Sequence, residues 1–216
     1  MDDNNNYYIK EVEDKNHKKN YIFCVKNILL DEKMIKEMEK YDCKVVEFEV
    51  QFNQSLCDNL PSRIEKIVFN EKFNKFNQPV DNLPKELKKI TFGYHFNQPV
   101  DNLPTGLRRL TFGCNFNQPV DNLPTGLQRL TFSHNFNQLI DNLPSGLKSI
   151  TFGDCFNQQI DNLPSGLQRL TFGDKFNHPL NNLPSGLQSL TISKYYNHPL
   201  NNLPASVKIT RIIFLV

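Results

Sequence analysis

The chain of 216 residues contains no tryptophan, and its apolar content is spread too thinly to produce a long hydrophobic run. A membrane-crossing helix needs about 18 consecutive apolar residues, and no segment approaches that. The first ten residues, MDDNNNYYIK, are polar and acidic, unlike the apolar core of a secretory signal. C-x-x-C pairs are also missing. The cysteines are Cys24, Cys43, Cys57, Cys114 and Cys155, an odd set whose spacings match no zinc module. Free thiols and a reducing, cytoplasmic location are the expectation. No G-x-G-x-x-G, phosphate loop or G-x-S-x-G appears. No catalytic, metal-ligating or cofactor-binding residue is therefore expected. Charge of one sign is lacking too, since 25 Lys and Arg stand against 23 Asp and Glu. The balance is uneven along the chain. Residues 1–50 hold 9 Lys and 12 acids, and the remainder 16 basic residues and 11 acids, so about −3 is followed by about +5. That asymmetry permits an anionic partner without requiring one.

What the chain does have is 17 Phe, 13 Pro and a repeat of 20 residues. Phe76, Phe96, Phe116, Phe136, Phe156 and Phe176 fall in register, and Tyr196 follows. Leu83-Pro84 recurs at the same interval through Leu203-Pro204. One unit reads FNQPVDNLPTGLRRLTFGCN, from Phe96 to Asn115. Upstream, Phe52 to Pro61 is the same motif with one extra residue, and Cys43, Val46 and Phe48 keep the spacing of Leu87, Ile90 and Phe92. The pattern starts near residue 43 and predicts about nine strand positions.

Spacing within a unit dictates its shape. Leu107-x-x-Leu110-x-Phe112 ends in a period of two, which suits a short strand with one buried face. Pro99 and Pro104 exclude a regular helix on the return path. One such strand cannot bury its apolar face alone, but stacked turns can. The expected fold is mainly β: a parallel solenoid with one short strand per turn and phenylalanine ladders as its spine.

Two asparagine columns, Asn77 to Asn197 and Asn82 to Asn202, are expected to point inward and satisfy backbone groups of the irregular return arms. Asp81, Asp101, Asp121, Asp141 and Asp161 would repel one another if buried, so exposure and nearby basic partners are expected. A calcium ladder fails on ligand count, with one carboxylate per turn. His178 and His198 occupy the glutamine slot of adjacent turns. Their reading is a surface polar role, with a shared metal as the sharper alternative.

The run FNQPVDNLPTGLRRLTFG resembles the FNIP repeat, a relative of the leucine-rich repeat found in amoebal proteins and in large viruses that infect amoebae. The resemblance covers about residues 43–212. It implies a leucine-rich-repeat-like solenoid without catalytic residues, placed in host cytoplasm if the source is viral. Some relatives carry an F-box before the repeats, which implies recruitment to a ubiquitin ligase. No F-box pattern is visible in residues 1–42.

Residues 1–20 are expected to form a flexible tail and 21–42 a small cap. Its helix runs over Asp31 to Tyr41, with Asp31 as N-cap and Met34, Ile35 and Met38 at helical spacing. The solenoid follows over 43–212, and 213–216 form an apolar strand end that could self-associate. In the last turn, Thr210 stands where the second leucine is expected.

Residues between the buried strand positions should face outward on the open sheet. Lys88, Lys89, Thr91, Arg108, Arg109, Thr111, Arg129, Thr131, Lys148 and Arg169 make a strip that is basic early and neutral late. It reads either as a docking face for an acidic protein partner or as a solvated face. No aromatic residue alternates with these cations, so nucleic acid is not the expected ligand. The functional expectation is a non-enzymatic protein-interaction scaffold. Its alternatives are a ubiquitin-ligase adaptor and, more remotely, an enzyme.

Overall fold

A computed structural model describes residues 6–26, 30–49, 51–56, 60–70, 74–204 and 207–213. The chain opens with β1 (Tyr7–Glu13), β2 (Lys19–Val25) and α1 (Glu32–Lys40). The solenoid strands follow: β3 (Val45–Phe48), β4 (Lys66–Phe69), β5 (Lys89–Thr91), β6 (Arg109–Thr111), β7 (Arg129–Thr131), β8 (Ser149–Thr151), β9 (Arg169–Thr171), β10 (Ser189–Ser193) and β11 (Lys208–Ile212). All eleven lie in one sheet in sequence order. Among the described residues only β1 and β2 are antiparallel, and every later pairing is parallel.

The register is that of the repeat. Leu110 faces Leu130, which faces Ile150, which faces Leu170. Two phenylalanine ladders run behind them. Within a rung, the ring at the strand end stacks on the ring opening the next unit: Phe112 on Phe116 at 3.6 Å and Phe132 on Phe136 at 3.7 Å. Between rungs the spacing widens to 5.5 Å for Phe112 and Phe132, and to 6.1 Å for Phe96 and Phe116. Nearly all these rings are inaccessible to water. Each buried Phe contributes roughly 1.5–3 kcal/mol, so the ladders dominate stability.

The return arm turns at Pro104, whose carbonyl accepts from Leu107 N–H at 3.0 Å, and at Gly113, whose carbonyl accepts from Phe116 N–H at 3.3 Å. One asparagine column satisfies backbone groups as expected, but it lies at the surface, half-buried from Asn77 to Asn137 and exposed from Asn157 to Asn197. Asn97 Oδ1 accepts the backbone N–H of Asn117, and Asn117 Oδ1 that of Asn137, both at 2.9 Å. The other column, Asn82 to Asn202, is exposed rather than inward. Its amides hold the aspartates: Asn102 donates to Asp81 at 2.9 Å and Asn122 to Asp101 at 3.0 Å. Among the described residues the five aspartates form no ion pair with a cation. A neutral amide from the next rung stands where a basic side chain was expected, because the repeat places Asn beside every Asp.

The front end departs from expectation. Residues 7–20 do not form a tail. Tyr7 and Ile9 alternate inward, and the Tyr7 ring stacks on Phe23 at 4.8 Å. The hairpin turn is tied by Asp14, whose Oδ1 accepts from Asn16 N–H at 2.8 Å and Lys18 N–H at 3.0 Å. Residues 1–5 of the expected tail lie outside the described residues. Helix α1 is the crossover between parallel β2 and β3 and buries Met34 and Met38 in the core, and Asp31 caps it by accepting from Met34 N–H at 2.8 Å. It ends in a Schellman turn. Cys43 N–H reaches Met38 O at 2.9 Å, and Asp42 N–H reaches Glu39 O at 3.1 Å. Asp42 takes the left-handed position at φ 47°.

The last rung is one residue short. Ile209, not Thr210, faces Leu190, and Thr210 joins the threonine column opposite Thr191. Of the expected strand end, Ile213 is exposed and residues 214–216 lie outside the described residues. Among the described residues no helix is long and apolar enough to cross a membrane.

Candidate binding face

Three outward columns run along the open side of the sheet. Strand pairing puts Lys66, Lys89, Arg109, Arg129, Ser149, Arg169, Ser189 and Lys208 in one line. No acid stands in it. Neighbouring members are one rung apart, about 4.8 Å at the backbone. Two unit charges at such a distance repel by nearly 1 kcal/mol even in water, and like charges opposite each other weaken a sheet.

The column before it holds Glu65, Lys88, Arg108, Gln128, Lys148, Gln168 and Gln188, linked rung to rung by backbone hydrogen bonds. Its cations are partly engaged. Lys88 pairs with Glu65 at 2.9 Å, and Lys44 reaches the same carboxylate at 3.9 Å. Arg108 donates from Nη1 to the Gly126 carbonyl at 2.9 Å. Lys148 lies over Gly166 in the next turn. Glycine makes room here: the long side chain of one rung folds onto the glycine of the following one.

The third column is the threonine column, and it is less open than expected. Thr91 is buried, and Thr111 and Thr131 are half-buried. Threonine is short and its neighbours above and below are a rung away, so adjoining side chains shade it. The structure thus brings the expected residues onto one face and leaves Lys88, Arg108, Arg109, Arg129, Lys148 and Arg169 exposed, whereas Lys89 is half-buried like Thr111 and Thr131.

Sequence reasoning did not place the wall. The tip of the β1–β2 hairpin stands beside the outward residues of β2 to β6 and encloses with them an open groove of about 760 Å³. Lys18 and Lys19 line it from the hairpin, and Lys66, Lys89 and Arg109 from the sheet. Alternation in Tyr7-x-Ile9 followed by the polar turn at residues 14–18 was the available signal.

His178 and His198 act as glutamine substitutes. Their Nε2 atoms lie 3.0 Å and 2.9 Å from the carbonyls of Asn157 and Asn177, where Gln138 and Gln158 donate to Asn117 and Asn137 at 3.1 Å. A carbonyl only accepts, so Nε2 carries the proton. Among the described residues no three His, Cys, Asp or Glu side chains converge as a metal site. Cys24 and Cys43 are buried, and Cys114 and Cys155 are half-exposed.

One strand per turn, a turn-rich return arm and asparagine ties between rungs define a solenoid of the leucine-rich-repeat type, a scaffold kind of fold. More narrowly, the chain belongs to the FNIP repeat family. The FNIP Repeat pattern matches residues 52–95, 76–115, 96–134, 116–155, 136–175 and 156–195. Among solved structures it is similar to CroV588, a giant-virus protein described as a novel circular LRR protein structure. The TM-score is 0.72 and the identity 33%, over 95% of this chain and 34% of that one. The chain therefore spans about a third of that protein's length. No curated protein matches.

Proposed function

We propose that this chain is a non-enzymatic protein-interaction scaffold that docks an acidic partner through the open face of its sheet, within the cytoplasm. The supporting observation is the cation column Lys66, Lys89, Arg109 and Arg129, stacked at rung spacing, with Arg169 one rung beyond Ser149 and no acid in the line. Mixed signs would keep this face soluble with less repulsion between rungs. A partner's carboxylates would relieve the repulsion, steer the encounter and fix the register.

The test is affinity capture from cell lysate with the native chain and with Arg109→Glu, Arg129→Glu and Arg169→Glu combined. All three side chains are exposed, so folding should survive. Partners held by the native chain should be lost from the triple variant, and should weaken as salt rises. An unchanged set of partners would overturn the proposal. Recovery of a ubiquitin-ligase core among the lost partners would turn the reading toward an adaptor.

A further inference from the structure

We infer that the groove beside the hairpin tip docks a short segment of a protein partner in which one apolar residue is followed by acidic ones. The inference rests on the open-face reading above and narrows it to one end of the sheet.

The cation column changes character at its front. Its first two members are Ile22 and Val45, and the next three are Lys66, Lys89 and Arg109. An apolar pair thus abuts three cations in one line, each step about 4.8 Å. Ile22 and Val45 are half-buried, and so is Val12, which lines the groove from the hairpin. Beyond this end the other rungs offer strands of three to five residues, whereas β1 and β2 have seven. The extra length supplies the wall. A wall matters because exposed ion pairs contribute about 0–1 kcal/mol, and partial removal from water strengthens them. It also shelters apolar contact, at about 25 cal/mol for each Å² covered.

The lining itself shows which charge fits. It holds eight Lys and Arg against four Asp and Glu. Lys19 pairs with Glu11 at 2.8 Å, and Lys44 and Lys88 share Glu65, so the positive excess is carried by the other lining cations. Three of the four lining acids are already committed. Asp14 ties the hairpin turn, Asp42 accepts from Arg63 at 2.7 Å, and Glu65 lies between Lys88 and Lys44. A nucleic acid fits less well. The Tyr21 and Tyr41 rings meet edge-on at 5.5 Å and pack against the core, so they offer no open platform for a base.

The experiment is fluorescence anisotropy on the full chain with labelled synthetic peptides. One has a leucine followed by glutamates, one has alanine in place of the leucine, and one has lysines in place of the glutamates. A labelled single-stranded oligonucleotide is the fourth probe. The leucine–glutamate peptide should bind at least threefold more tightly than the alanine version, and the lysine version should not bind. Lys66→Glu with Lys89→Glu should weaken it about tenfold. Lys175→Glu with Lys194→Glu, both exposed and outside the groove and the cation column, should leave it within twofold. Val45→Thr keeps the branched shape of the side chain and should abolish the preference for leucine over alanine while leaving the circular dichroism spectrum unchanged. Equal binding of the leucine and alanine peptides overturns the groove inference. So does equal loss from both charge-reversal pairs, no binding of any peptide, or tighter binding of the oligonucleotide. In each case, lysate capture that still depends on Arg109, Arg129 and Arg169 would leave the broader open-face reading standing.

Discussion

The backbone N–H of Asn117 donates to Oδ1 of Asn97 at 2.9 Å, across 20 residues of sequence and a single rung of space. The same bond recurs from Asn137 to Asn117 at 2.9 Å and from Asn157 to Asn137 at 2.8 Å. Replacing Asn117 by Ala leaves the Asn137 N–H without its acceptor, at a cost of about 1–2 kcal/mol. Asn117→Asp retains an acceptor at the same place and should lose much less. Urea denaturation midpoints measure both, and equal losses would show that the acceptor is not what matters.

Phe132 lies at the centre of the spine, 3.7 Å from Phe136, 5.5 Å from Phe112 and 5.6 Å from Phe152. Phe132→Ala should destabilise by about 3–5 kcal/mol, since the flanking rungs are held at fixed spacing and cannot collapse into the cavity. Phe132→Leu should cost clearly less. The comparison is made by equilibrium unfolding followed by circular dichroism.

Asp42 combines a left-handed backbone with a carboxylate 2.7 Å from Nη1 of Arg63. That hydrogen bond and the charge of Arg63 hold its carboxyl below the usual value of 3.8. A depressed folded value means that the pair's contribution is whole above the unfolded value and is lost as pH falls through the folded one. The window therefore lies in the acid range, below about pH 5. Both groups are well exposed, so the effect on stability is small. Carbon NMR titration of Asp42 should show its midpoint returning toward 3.8 in Arg63→Ala; an unmoved midpoint would exclude the ion pair as cause.

The described cysteines divide by access. Burial pushes the Cys43 thiol up to about 11 and raises that of Cys24. Thiolate is the reactive form, so both should resist alkylation in the native state. Cys114 and Cys155 are half-exposed and should be modified first. Peptide mapping after a short iodoacetamide pulse distinguishes the pairs, and early labelling of Cys43 would contradict its burial in the core.

Much of this molecule was legible because a repeat reports its own register. Once Phe96 and Phe116 are seen 20 residues apart, their stacking at 6.1 Å follows from the spacing of parallel strands. The same reasoning put Lys89, Arg109 and Arg129 on one face. Local pairing was harder to read. Asp81 meets Asn102 and not a lysine because the partner depends on how the return arm turns, which hydrophobic periodicity does not encode. Glu65 neutralising Lys88 was missed for a different reason: it belongs to an irregular early unit. The hairpin was the largest omission. Its first strand, YYIKEVE, is short and follows a polar start, so its alternation was passed over; β1 is held chiefly by β2 and by Tyr7 on Phe23.

Strand contacts join chain neighbours, from β1 with β2 through to β10 with β11. Such a molecule has no long-range keystone. Loss of a terminal rung breaks one interface and leaves the rest intact, so amide exchange should be fastest at the ends and slowest near Phe132. The same arithmetic explains why one copied word can be inserted between two others: each new turn meets, above and below, a surface already cut to its shape.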